Sequence, residues 1–242
     1  MNVTTLLPRA AETAMKNGRI DLLDHGFVRL VDSMGNDLSV VRAARVSYDA
    51  AWRAGEDQGS DKRLIGYLWK HRHTSPFEAV TFTFEVKAPI FVLRQWMRHR
   101  TWSYNELSAR YHELPEEFYV PRPEMIGVQS KDNKQARNLA APIERAESQE
   151  SAQIIEDTCR LAFQRYKVLL GRGVPRELAR SVLPVATYSH MFGSVNLLNL
   201  LHFLSLRSNA DAQYEIRVYA LAMLELVREV VPVCIEAWEA NP

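Results

Sequence analysis

Cysteine is almost absent: Cys159 and Cys234 are the only two in 242 residues. They stand far apart in stretches that read as helical. A disulfide framework or a zinc knuckle is therefore excluded, and two reduced, buried thiols are expected. An excess of one charge is also missing. Lys and Arg number 30 against 29 Asp and Glu, a net charge of +1. Nothing in that balance favours nucleic acid or an anionic membrane, so any anion site must be local. No apolar run approaches the ~20 residues that span a bilayer. The stretch Met1–Arg19 lacks the apolar core of a secretory signal. A cytoplasmic protein with no membrane and no nucleic-acid partner is expected. The 10 glycines never form Gly-x-Gly-x-x-Gly, so the Rossmann fingerprint is absent.

What is present fits one sizeable core. Hydrophobic residues make up 47% and charged residues 24% of the chain, the usual mixture for a globular domain of this length. Residues 1–242 read as one domain with an N-terminal extension over 1–20, where Leu6–Asn17 has the pattern of a short amphipathic helix. Phe27–Asp32 and Thr81–Lys87 alternate apolar and polar residues and predict strands. Asn36 or Asp37 caps a helix ending near Ser47, and a second helix enters from Asp61. Pro89 opens a helix that carries Gln95, Trp96, Met97 and Arg98. Phe118–Pro121 reads as a short edge element, and residues 127–149 as a polar surface loop. A long helix is predicted over 150–170, a short one from Pro175, and a strand over 186–192. A helix beginning at Ser194 or Asn196 follows, then one long helix over 212–238 kinked at Pro232.

The chemistry concentrates in Arg98-His99-Arg100-Thr101-Trp102-Ser103-Tyr104-Asn105-Glu106-Leu107-Ser108-Ala109-Arg110-Tyr111. This run has little to bury, yet it lies between apolar stretches. It uses Arg, whose planar fork matches phosphate or carboxylate oxygens two at a time. If the run stays extended, Glu106, Ser108 and Arg110 share one side, where they suit an anionic ligand with a polar body. A solvated loop with salt bridges is the plainer reading. His71 and His73 followed by Glu78 raise a metal site, but no third convergent ligand is evident, and no metal is expected. Two other classes remain open on the residues alone. One is a nucleotide- or RNA-binding module stacking bases on Trp102 or Tyr104. The other is a metal-dependent hydrolase built on His71, His73 and His99.

The pattern Arg-His-Arg-x-x-Ser-x-Asn-Glu-x-Ser-x-Arg-Tyr resembles the signature of the flavin-dependent thymidylate synthases, with every fixed position present. Three further stretches are similar to family segments: His73-Thr74-Ser75-Pro76-Phe77-Glu78, Gly173-Val174-Pro175-Arg176-Glu177-Leu178-Ala179-Arg180, and Leu206-Arg207 with Ala212-Gln213-Tyr214-Glu215-Ile216. The resemblance spans residues 21–236 and is weak over 122–153. It implies an α+β fold, a small mostly antiparallel sheet flanked by helices with a helical C-terminal part, assembled as a homotetramer whose sites are shared between subunits. It implies FAD as cofactor, NADPH as reductant and 5,10-methylenetetrahydrofolate as carbon donor for converting dUMP to dTMP. By the same resemblance, Gln95, Trp96, Met97, Arg98, Glu106, Leu107, Ser108, Ala109, Arg110, Arg180 and Arg207 bind dUMP. Ser75, Arg98, His99, Arg100, Glu106, Asn196, Leu197, Leu198 and His202 bind FAD. Ser47, His73, Glu78, Ser103, Asn105 and Asp211 are expected as active-site neighbours. Two positions depart from the family pattern: Leu198 stands where an Arg is frequent and Asp211 where a His is common. Arg207 is the expected catalytic residue. A guanidinium against the uracil edge stabilises negative charge over O2, N3 and O4, which replaces attack by a cysteine on C6.

Overall fold

The computed structural model describes residues 18–241; the helix expected over Leu6–Asn17 lies outside them. The chain is organised around a five-stranded sheet in the order β1-β2-β3-β7-β4. Its strands are β1 (Arg19–Leu22), β2 (Gly26–Met34), β3 (Thr81–Pro89), β7 (Tyr188–Asn196) and β4 (Ser103–Glu106), and every neighbouring pair is antiparallel. The expected α+β class with a small antiparallel sheet is thus what the chain forms.

Strand β3 shows why. Phe82, Phe84, Val86 and Ala88 alternate along it and are fully buried, since successive side chains of a strand face opposite sides. They pack in a core with helix α6 (Leu197–Arg207) and helix α7 (Tyr214–Arg228). The opposite face is polar. Thr83 and Ser194 share a hydrogen bond of 3.0 Å, and Glu85 accepts from Arg29 Nε at 2.6 Å and pairs with His190 at 2.8 Å.

Helix α1 (Asp37–Arg45) carries a reciprocal cap: Asn36 Oδ1 accepts from Leu38 N, and Ser39 Oγ accepts from Asn36 N. It ends before Ser47, which lies in a 3-10 turn over Val46–Tyr48. Helix α2 (Gln58–Lys70) begins at an Asp57 cap rather than at Asp61, whose carboxylate is committed to Gly55 N and Arg45. Helix α3 (Ile90–Trp96) follows β3 directly, with Pro89 as its cap residue.

Four further expectations are corrected. The polar stretch after Gly127 is not a plain loop but contains a hairpin of β5 (Gly127–Gln129) and β6 (Arg137–Pro142). No apolar alternation marks it. A side chain holds its turn instead, with Gln129 Nε2 donating to the carbonyls of Lys134 and Ala136, both at 3.0 Å. Helix α4 (Arg145–Gly171) starts five residues before the expected Glu150, because Arg, Ala, Glu and Gln are good helix formers without apolar periodicity. Strand β7 runs on to Asn196 because β3 pairs with it along its whole length, from Thr81↔Asn196 to Pro89↔Tyr188. The single kinked C-terminal helix is two: α7 stops at Arg228 and α8 (Pro232–Ala240) restarts at Pro232. Asp37 receives Val233 N and Cys234 N at 3.1 and 2.9 Å, so a distant carboxylate caps the restart.

A second, smaller cluster forms where α4 places Cys159, Phe163 and Tyr166 against Phe118 and Ala179. Phe118 forms an isolated bridge with Thr187, so the expected edge element is a single contact. Along α4, Ile154, Leu161 and Val168 recur every seventh residue and are 59%, 50% and 43% exposed.

Candidate active site

The signature begins where α3 runs out. His99 N donates to the Trp96 carbonyl at 2.9 Å, which closes the helix end. The signature's own Tyr104 then reaches back, its hydroxyl lying 3.0 Å from Trp96 O and 2.9 Å from His99 O. Ser103–Glu106 forms the edge strand β4 on β7, with Tyr104 opposite Gly193. A Cβ at Gly193 would meet the Trp102 ring at 3.2 Å, so glycine is what lets the two strands approach over that ring. Trp96, Trp102 and Phe203 pack together beneath the signature, Trp96 stacked on Phe203 with centroids 4.9 Å apart and Trp102 tilted against Phe203 at 5.3 Å.

This platform brings His99 to Arg207. His99 packs edge-on against Phe203 at 4.9 Å, and Arg207 Nε donates to His99 Nε2 at 3.0 Å. Arg has no acceptor, so His99 Nε2 must be the unprotonated nitrogen and Nδ1 the one that carries hydrogen. The electrostatics agree. Burial, and then the adjacent Arg207 charge, push the imidazole pKa down to about 4. Of the three cationic residues that open the signature, the middle one is thus neutral at pH 7. Burial also lowers the Arg207 pKa, but a guanidinium stays charged in proteins. Its Nη groups have no partner among the described residues.

The second half of the signature forms a separate cation group. Ser189, itself buried, donates to Glu106 Oε1 at 2.6 Å, and Leu107 N donates to His190 O at 2.7 Å. There the strand ends. Ser108 accepts Tyr111 N and His112 N on its carbonyl and Arg110 N on its hydroxyl. The alternation expected to place Glu106, Ser108 and Arg110 on one side is therefore broken by a turn at Ser108, since local hydroxyl–backbone bonds compete with a strand. Arg110 instead meets Glu177 at 3.3 Å, at the start of the short helix α5 (Arg176–Ala179). Arg180 Nε donates to Glu177 O at 3.3 Å, and Arg176 meets Glu113 at 3.4 Å. Arg110, Arg176 and Glu177 line a cavity of about 310 Å³ together with Tyr111 and Pro175.

The family described as "Thymidylate synthase complementing protein" matches residues 29–233. A flavin-dependent thymidylate synthase of Thermus thermophilus is 50% identical over 222 residues, 92% of this chain and 78% of that protein. This chain belongs to the flavin-dependent thymidylate synthase family. A relative of the same name from Rickettsia typhi is 44% identical across 98% of this chain and 84% of its own length. Among solved structures, a UMP/dUMP methylase, PolB from Streptomyces cacaoi, bound with 5-Br dUMP, superposes with a TM-score of 0.82 at 40% identity, covering 91% of this chain and 97% of that one.

The other residues that the family resemblance points to are placed as follows. Ser75 and Glu78 lie exposed on a 3-10 turn over Ser75–Ala79, and His73 precedes it, edge-on to Tyr67. Leu197 N donates to Val80 O at 2.8 Å, so that turn sits beside the start of α6. Asn196 caps α6, its Oδ1 accepting from Asn199 N and Nδ2. Arg98, Arg100 and His202 are exposed, and neither Arg98 nor Arg100 has a side-chain partner among the described residues. Trp96, Ala109 and Leu197 are buried. Met97, Ser108 and Leu198 are half-buried, and Ser47, Ser103, Asn105, Leu107 and Asp211 are exposed. Asp211 lines a polar cavity of about 700 Å³ between the β5–β6 hairpin and the start of α7.

Sequence reasoning missed Ser189, Gln213 and Glu215 as site neighbours. The last two stand in the Ala-Gln-x-Glu-Ile stretch, and that clustering of polar residues at a helix start was their signal. Both cysteines are free and buried, and burial raises both thiol pKa values.

Proposed function

We propose that this protein is an FAD-dependent thymidylate synthase acting in the cytoplasm. It converts dUMP, methylenetetrahydrofolate and NADPH with a proton to dTMP, tetrahydrofolate and NADP⁺. The observation that carries the reading is the held Arg207, whose Nε is taken by a neutral His99 while its Nη groups remain available. A guanidinium fixed in this way offers two parallel donors to the carbonyl edge of a uracil, where negative charge accumulates as C5 becomes nucleophilic. The buried, protonated thiols of Cys159 and Cys234 are unsuited to the alternative, addition of a thiolate to C6.

Arg110 and Arg180, which meet at Glu177, take the nucleotide phosphate. Glu106 and Ser108 present their polar groups to the nucleotide body, and Gln95, Met97, Arg98, Leu107 and Ala109 line its approach. The residues present suit a flavin dinucleotide: Arg98 and Arg100 carry exposed guanidiniums with no neutralising carboxylate among the described residues, and a pyrophosphate supplies that charge. When bound, the flavin carries reducing equivalents from NADPH to the methylene group. Ser75, His99, Asn196 and His202, with the main chain of Leu197 and Leu198, complete its contacts. Asn196 keeps its helix cap through Oδ1 and offers its amide hydrogens.

The assembly is a homotetramer with sites shared between subunits. Two features support it. The Arg110–Arg180 group has no direct side-chain contact with the Arg207–His99 group in one chain. The stripe of Ile154, Leu161 and Val168 exposes large apolar side chains at heptad spacing, the pattern of a helix that packs on another.

The test is an absorbance spectrum of the purified protein before and after NADPH, with dUMP present. A flavin band that bleaches is expected. No band after incubation with FAD overturns the proposal. Sedimentation of a Leu161→Glu variant tests the assembly: smaller particles than wild type are expected, and an unchanged size overturns the role of the stripe.

A further inference from the structure

Glu215, the second residue of α7, is only 1% exposed. A carboxylate at such depth needs donors on its lone pairs. Glu215 has three. Oε1 accepts the Tyr119 hydroxyl at 3.0 Å and Arg137 Nη2 at 2.8 Å, and Oε2 accepts Gln213 Nε2 at 2.9 Å. Tyr119 follows the residue that bridges to Thr187, and Arg137 belongs to the β5–β6 hairpin. The carboxylate therefore ties two distant segments to the start of α7.

The next link carries direction. An amide side chain fits equally well in either of two flips, and only its partners choose between them. Facing Arg137, Glu215 can only accept, so Gln213 must turn its NH₂ toward it. That leaves Gln213 Oε1 as the acceptor for its other neighbour, and Gln95 Nε2 donates to it. Gln95 is then fixed in turn. One of its amide hydrogens is committed, and its carbonyl oxygen and second hydrogen are left for another partner in one orientation only.

We propose that Glu215 and Gln213 are positioning residues for the nucleotide site, acting as a hydrogen-bond relay that sets the amide orientation of Gln95. The proposal rests on the reading of Gln95 as a nucleotide contact. An amide locked before binding loses less freedom on meeting the ligand and presents its donor and acceptor in one pattern. It also gives the β5–β6 hairpin a reason to be pinned by Arg137, since the hairpin's cation completes the shell around Glu215.

The test is calorimetric titration of the flavin-loaded enzyme with dUMP, for wild type, Gln95→Ala, Gln213→Met, the double variant and Glu215→Gln. Gln213→Met keeps the volume and removes both hydrogen bonds. Gln95→Ala and Gln213→Met are each expected to weaken dUMP binding about five-fold, the value of one ordinary hydrogen bond. The double variant should be no weaker than Gln95→Ala alone, because the relay acts only through Gln95. Glu215→Gln, which can accept or donate, should raise KM for dUMP while kcat at saturation stays within about two-fold. A merely structural role for Gln213 would shift the unfolding temperature and leave this coupling absent. If Gln95→Ala binds dUMP as wild type does, the nucleotide role of Gln95 falls and the relay with it. If Gln95→Ala weakens binding but Gln213→Met does not, or if the two losses add, the relay alone is overturned. Should Glu215→Gln fail to fold, the Gln95–Gln213 cycle still decides.

Discussion

Arg207 and Arg180 serve the same nucleotide in the proposed function, yet the chain holds them in opposite ways. Arg207 ends an eleven-residue helix whose Leu200, Leu201 and Leu204 are fully buried. Its Nε is taken by a ring that Phe203 supports from below. Arg180 is exposed, sits in a 3-10 turn after a four-residue helix, and makes one 3.3 Å bond to a carbonyl of that helix. Its neighbours Arg110 and Arg176 pair only with glutamates that are themselves more than half exposed. Exposed pairs of this kind are worth little, so in the proposed function a phosphate would displace them at small cost. The difference suits what the proposed function asks of each end. Stabilising charge on a ring needs donors aimed in advance, whereas binding a phosphate needs charge that can close around it.

That contrast can be broken at its rigid end first. Replacing Arg207 by Ala is expected to lower turnover about a hundred- to a thousand-fold, the usual effect of losing one preorganised donor to developing charge. Flavin content should be unchanged. Full turnover in the variant would show that uracil activation does not run through Arg207. The support beneath it is next. Phe203 touches Trp96, Trp102 and His99, so Phe203→Ala should cost about 3–5 kcal/mol of stability in denaturant unfolding. A loss below about 1 kcal/mol would mean that the ring does not bear the platform. At the pliable end, Arg180→Ala should raise KM for dUMP about ten- to a hundred-fold and leave kcat nearly as it was, with a weaker dependence of binding on salt. An unchanged KM would return Arg180 to the role of a solvated cation.

The rigid end was legible in the sequence and much of the pliable end was not. Alternation in β3 and the caps at Asn36 and Pro89 announced the elements that frame the platform, because apolar periodicity and capping are local signals. The Arg-His-Arg run pointed to the candidate site, but its electrostatics were hidden. That His99 is neutral depends on Phe203 and Arg207, more than a hundred residues later. Past Glu106 the parity argument failed at Ser108, whose hydroxyl and carbonyl turn the chain. The β5–β6 hairpin escaped notice for a related reason. It is stitched by Gln129 and pinned by Arg137 to Glu215, and polar contacts between distant residues leave no period in the sequence. Elements held by burial can be read from one chain; elements held by specific polar partners have to be seen.

The smallest effect expected is also the most direct probe of the rigid end. The His99 pKa falls from 6.5 to about 4 on folding. Between those values the unfolded chain binds a proton at this residue and the folded chain does not. Stability therefore rises with pH across the window and is lost as pH falls from 6.5 toward 4. Other groups titrate in the same range, so the comparison must be with a variant that keeps the acceptor but not the titration. His99→Gln does this, since its amide oxygen can receive Arg207 Nε. Measured by chemical denaturation, wild type should lose stability relative to His99→Gln as pH is lowered through the window. Above pH 6.5 the two curves should run parallel. The imidazole is only half-buried, and solvent screening keeps the difference small. A difference that stays flat through the window would show that His99 is not held neutral by its surroundings. Arg207 would then lose the fixed acceptor that distinguishes it from Arg180.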